Sequence, residues 1–167
     1  MSGEGWKWDT RKHPRVVGVL ADSTFGEGWC DKLETAATDA AVGKMLCVCA
    51  AAAIARKVAD AERLAKEDPQ QAVDALDLLG SWIDGPSDER FERICALIFP
   101  QGGQPVDPMP PRVAWWALRT ATSSVGNSEA GWALEATCDA AASAGFTPQE
   151  LLAIVKQELF SRRSRRD

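Results

Sequence analysis

The chain has 167 residues, 46% of them apolar and 26% charged, with a formal net charge of -5. That length suits one domain able to bury about two-thirds of its unfolded surface, and the composition excludes wholesale disorder. Five cysteines, an odd number scattered through apolar helical patterns, exclude a small disulfide scaffold and point to reduced thiols.

Residues 1–28 place Trp6, Trp8 and several charges ahead of any apolar stretch, so a secretory leader is not expected and a cytoplasmic location is. The segment RVVGVLAD, residues 15–22, is a β-branched run that suits a short strand or an extended arm packed on the remainder. No second strand pattern is there to pair with it. Phe25-Gly26-Glu27-Gly28 is a lone G-x-G without the third glycine or the preceding strand of a dinucleotide site. An irregular or extended arm is therefore expected over 1–28, and His13 falls within its charged part.

Helical signals dominate from residue 29. The stretch KMLCVCAAAAIARK, residues 44–57, sets Cys47 and Cys49 about 200° apart on a helix, so they cannot readily share a metal or pair. Cys47 shares a face with Ala51, Ile54 and Val58, which reads as packing, and Ala50 to Ala53 let a neighbouring helix approach closely. The longest apolar run, Met45 to Ala55, is far short of the roughly 20 residues that span a bilayer. No membrane contact is expected.

Asp68-Pro69 opens the next helix, with Val73, Leu76, Leu79 and Ile83 along one side, and Gly85-Pro86 ends it. Ser87 caps another, in which Phe91, Ile94, Cys95, Ile98 and Phe99 follow the amphipathic spacing. The segment PQGGQPVDPMPP, residues 100–111, holds five prolines and two glycines and is a connection within one domain. Helices are expected over about 111–124 and 128–144, with a turn at Gly126-Asn127 and a stop at Gly145. Thr147, Pro148 and Glu150 then form a capping-box signature for a helix over about 148–162, with Phe146 and Leu151 as its hydrophobic staple.

Few patterns carry chemistry. Ser128 in GNSEA lacks the final glycine of a nucleophile elbow and follows a helix, so Ser128 or Asn127 reads as a cap. Between Asp60 and Glu92 ten acidic residues face only Arg63, Lys66 and Arg90, a balance that disfavours phosphate backbones and suits a basic partner. Asp74 and Asp77, or Asp88, Glu89 and Glu92, sit opposite the apolar stripes of their helices. Solvation of that face is the simpler reading; a divalent ion held there would make the chain an all-α metal-dependent enzyme.

Trp115 and Trp116 diverge by about 100° on a helix. Two readings stay open for them: both rings fill a wide core, or one is an aromatic anchor at a protein interface. Arg162, Arg163, Arg165 and Arg166 make a basic tail, read either as cations fraying from a helix C-terminus or as an unspecific contact to nucleic acid.

From Lys44 to Ala142 the chain resembles the alanine- and tryptophan-rich helical immunity proteins of bacterial polymorphic toxin systems. The likeness lies in KMLCVCAAAAIARK, in the layout of Asp68, Pro69, Ala72, Ala75, Trp82 and Gly85, and in AWWALRTATSSVGNSEAGWALEA. The resemblance implies a non-catalytic cytoplasmic protein that binds and blocks a toxin, and it carries over no site residue. Complementary charge would make that toxin a basic one.

The expected protein is thus all-α, a single helical bundle or stacked helical hairpins of about six or seven helices over 29–162, flanked by the arm and by a basic tail at 163–167. It needs no cofactor. Its expected function is protein binding, with Asp74, Asp77, Asp88, Glu89, Glu92, Trp115 and Trp116 as candidate contacts. A small regulator touching nucleic acid through its tail is the alternative, and a metal-dependent enzyme is third.

Overall fold

The computed structural model describes residues 5–21, 25–26, 28–64, 68–99 and 112–164. Among them are eight helices: α1 (Pro14–Ala21), α2 (Trp29–Ala36), α3 (Ala40–Asp60), α4 (Pro69–Asp84), α5 (Asp88–Ile98), α6 (Val113–Ala121), α7 (Glu129–Ser143) and α8 (Pro148–Ser161). The all-α expectation holds: seven of these helices, α2 to α8, lie over 29–162, within the number expected, and the eighth, α1, lies in the arm. The proline-rich connection at 100–111 lies outside the described residues.

The caps are those the sequence predicts. Asp68 accepts from the Gln71 N–H at 3.4 Å and Ser87 from the Arg90 N–H at 3.2 Å, so α4 and α5 start where a short polar side chain meets orphan amides. Thr147 and Glu150 close a complete capping box at 3.1 and 2.8 Å. At the start of α7 it is Asn127 whose Oδ1 accepts from the Glu129 N–H, while Ser128 adopts a left-handed φ of 66° and makes no cap bond.

α3 is the axis of the bundle and packs against α2, α4, α6, α7 and α8. In the middle of this helix Leu46 to Ala51 are all fully buried, which is why Cys47 and Cys49 are both covered although they point to nearly opposite sides, while Arg56 and Lys57 keep its last turns polar. Gly43 sets the closest approach. A Cβ built there would stand 2.1 Å from the Glu34 carbonyl oxygen, so α2 crosses α3 backbone to backbone.

The arm departs from expectation. Residues 14–21 are helical, not extended: Pro14 sits at the first helical position, and Val16 and Leu20, one turn apart, are fully buried on a helix that packs against α2. That burial outweighs the slight helix aversion of the valines. His13 is not a charged-arm residue but is 6% exposed, its Nδ1 accepting from the Thr38 N–H at 3.3 Å. Among the described residues, Gly5 to Asp9 run as a non-helical arm against the end of α8. Trp8 is buried, its amide donates to the Arg162 carbonyl at 3.0 Å, its indole N–H to the Leu159 carbonyl at 2.7 Å, and its carbonyl accepts from the Ser164 amide at 2.7 Å. Both ends of the described chain are thereby joined to the end of α8.

Candidate functional site

The acidic faces of α4 and α5 are exposed, as expected of solvated charge. Asp74 accepts from Gln70 at 2.9 Å, Asp77 pairs with Arg56 at 2.9 Å, and Asp88 and Glu89 occupy the first turn of α5, where the helix dipole favours anions. Glu92 lies exposed one turn on. Among the described residues no three His, Cys, Asp or Glu side chains are arranged to hold a metal ion.

The tryptophan pair divides. Trp116 is withdrawn from the surface at 7% exposure, and Trp115 is half-buried with its ring edge-on to Trp116 at 5.1 Å. Trp116 is therefore no surface contact. The exposed ring is Trp132 on α7, at 51% exposure and 5.3 Å from Trp116 in an edge-to-face contact. The Arg119 guanidinium lies 5.8 Å from the Trp132 ring centroid and pairs with Glu129 at 3.4 Å, bracing the indole from one side. Trp132 was legible in the sequence as the one large apolar residue in the polar stripe that it shares with Glu135 and Asp139.

Beside Trp132 a cleft of about 210 Å³ opens between α2 and α7, lined by Cys30, Asp31, Ser128, Gly131, Trp132 and Glu135. Gly131 makes it possible. A Cβ at that position would meet the Asp31 Oδ1 at 2.9 Å, the Glu34 Oε1 at 3.0 Å and the Cys30 carbonyl at 3.2 Å, so α2 can press two carboxylates against α7 only because the side chain is absent. Glu34 is 4% exposed: its Oε1 accepts from the Gly131 N–H at 2.9 Å, and its buried Oε2 has no hydrogen-bond partner. Burial pushes its carboxyl above the usual range, the Gly131 bond opposes this, and Asp31 and Glu129 add to the rise. This residue too had a signal in the sequence, since it falls on the apolar stripe of α2 formed by Cys30, Leu33 and Ala37.

The thiols are packing groups. Burial raises Cys47 far above the ordinary thiol value and Cys49 to about 12, and it raises half-buried Cys95 as well. Cys138 is raised by its hydrogen bond to Cys30 and then by burial. Four of the five cysteines are buried and all five are free.

The basic end of the chain is also engaged with the fold. Arg162 is half-buried, pairs with Glu158 and, at 3.8 Å, with Asp84, and donates to the Trp6 carbonyl at 3.1 Å. Arg163 lies over the Phe160 ring at 4.9 Å. Arg162 is the C-cap of α8 and Arg163 follows it, exposed; Arg165 and Arg166 lie outside the described residues. No protein-family model matches the chain, and no curated protein or solved structure is significantly similar to it.

Proposed function

We propose that this protein acts by binding another protein, without catalysis, and that its contact face is built around α2 and α7. The observation that carries the reading is Trp132, a half-exposed indole whose orientation is already fixed by Trp116, Arg119 and Glu129. A rigid aromatic ring loses little freedom on docking, and exposed tryptophans of this kind are the commonest energetic anchors of interfaces. The raised thiols, poor nucleophiles near neutral pH, favour recognition over covalent chemistry. Inhibition of a basic toxin in the cytoplasm is the specific form that the resemblance to immunity proteins adds.

The test compares affinity capture from the native cell by the intact chain and by Trp132→Ala. A true anchor contributes about 2 kcal/mol or more, roughly a thirtyfold loss of affinity, so the captured protein should disappear from the variant while its circular dichroism stays unchanged. Equal capture by both chains refutes the assignment of this face. A parallel variant carrying Asp74→Lys, Asp77→Lys and Glu89→Lys should bind with slower association only, because exposed charges steer encounter more than they hold the complex.

A further inference from the structure

We propose that Cys30 of α2 and Cys138 of α7, packing groups while reduced, form a reversible disulfide when hydrogen peroxide enters the α2–α7 cleft, so that oxidation clamps the two helices together. The inference goes beyond the protein-binding reading and does not depend on it. The two thiols lie far apart in the chain, yet their side chains are in hydrogen-bond contact. Around them the helices run close. A Cβ at Gly131 would meet the Cys30 carbonyl at 3.2 Å, and Cys138, two turns further along, shares the Gly131 face of α7. The Gly131 N–H bond to Glu34 at 2.9 Å pins the same crossing one turn along α2 from Cys30.

A disulfide needs Cα atoms within about 7 Å and side chains that face one another. Thiols that already touch across two helices in close backbone contact meet this by rotating about their side-chain bonds. The other cysteines lack such a neighbour. Cys47 and Cys49 point to nearly opposite sides of α3, Cys47 makes no hydrogen bond to Cys30, and Cys95 lies on α5.

Access is one-sided and sets the order of events. Cys30 lines the cleft of about 210 Å³, ample for a molecule little larger than water, whereas Cys138 does not line it. The Cys30 sulfur attacks one peroxide oxygen and the O–O bond breaks; Cys30 becomes a sulfenic acid, and the other oxygen leaves as water with the thiol proton. The Cys138 sulfur then attacks the Cys30 sulfur, the S–O bond breaks, and the hydroxyl leaves as a second water with the Cys138 proton. The two thiols lose two electrons and the peroxide gains them. Until then burial and the bond to Cys30 keep Cys138 protonated.

The experiment treats the intact reduced chain with hydrogen peroxide and reads free thiols after denaturation, disulfide-linked peptides by mass spectrometry and the melting temperature. Two of the five thiols should disappear, in one peptide pair joining Cys30 to Cys138. The rate should rise in proportion to peroxide. Closing a loop of more than about 100 residues should raise the melting temperature by about 4–16 °C, and dithiothreitol should reverse the rise. Cys138→Ala, a small apolar replacement in an alanine-rich helix, should leave Cys30 as a sulfenic acid that dimedone traps, and Cys30→Ser should give neither adduct nor bridge. Cys95→Ser should bridge as the parent does.

Five thiols remaining, a bridge from Cys30 to Cys47, or a rate independent of peroxide, which would mean reaction only through unfolding, overturns the proposal. An oxidised protein that melts below the reduced one overturns it too, because the bridge would then be distorting the α2–α7 contact.

Discussion

Gly43→Ala should destabilise the protein, although alanine is the better helix former. The new methyl would stand 2.1 Å from the Glu34 carbonyl oxygen, where ordinary contact begins at 3.4 Å, so α2 and α3 must part by about 1 Å. The obstacle is backbone and cannot rotate away. Nor can α2 retreat freely, because Gly131 of α7 already sits close against the Cys30 carbonyl on another side of it. Overpacking of this kind costs about 1–3 kcal/mol, and a backbone obstacle belongs at the upper end. Helix propensity returns about 1 kcal/mol. The net expectation is a loss of about 2 kcal/mol, which for a chain of 167 residues lowers the melting temperature by roughly 4–8 °C. Gly18→Ala and Gly80→Ala are the controls: both glycines are helical with nothing within 4 Å of the new methyl, and both changes should stabilise by about 0.5–1 kcal/mol. Urea unfolding of the three variants reads all of this, provided the slopes agree. A Gly43→Ala protein as stable as Gly80→Ala would refute the backbone crossing, and with it the placement of Glu34.

Glu34 gives a prediction in pH. Its folded-state pKa is raised, chiefly by burial, so the stability it contributes is present below its unfolded pKa and is lost as pH rises through the folded value. Glu34→Gln keeps an acceptor for the Gly131 N–H and removes the titration, so between about pH 4 and pH 8 the urea midpoint of the parent should fall relative to that of the variant. A parent that gains on the variant over that range contradicts the raised pKa. Thiol labelling of the native protein should modify half-buried Cys95 first, with fully buried Cys47 and Cys49 reacting only at the rate of unfolding. Fast labelling of Cys47 or Cys49 would show that α3 is not the centre of the bundle.

Local signals in the chain determined where most helices begin and end. Asp68, Ser87 and the Thr147/Glu150 pair cap as their spacing demands, since a cap needs only residues three apart to satisfy orphan amides. The apolar stripe of α4 likewise needed no tertiary knowledge. Its residues Leu76, Leu79 and Ile83 are buried, whereas in α5 only Ile94 and Ile98 are, and Phe91 stays half-exposed against Trp82. Periodicity says which side faces inward but not how deep each position lies, because depth depends on what packs opposite.

Tertiary structure alone decided the remainder. Residues 14–21 carry a β-branched run that suits extension in isolation, and they become α1 because Val16 and Leu20 find apolar cover. Cys47 and Cys49 are both buried because the five helices packed on α3 cover it all round from Leu46 to Ala51, a fact of assembly that no single helix encodes. The candidate site shows the same division. Trp132 on a polar stripe and Glu34 on an apolar one were each visible as misplaced residues. That Glu34 comes to lie against Gly131, next to Trp132, follows only from the crossing of α2 and α7, which two glycines far apart in the chain, Gly43 and Gly131, permit by letting α2 close on both α3 and α7. A glycine signals its backbone freedom in sequence, but the partner that it admits is fixed by long-range packing.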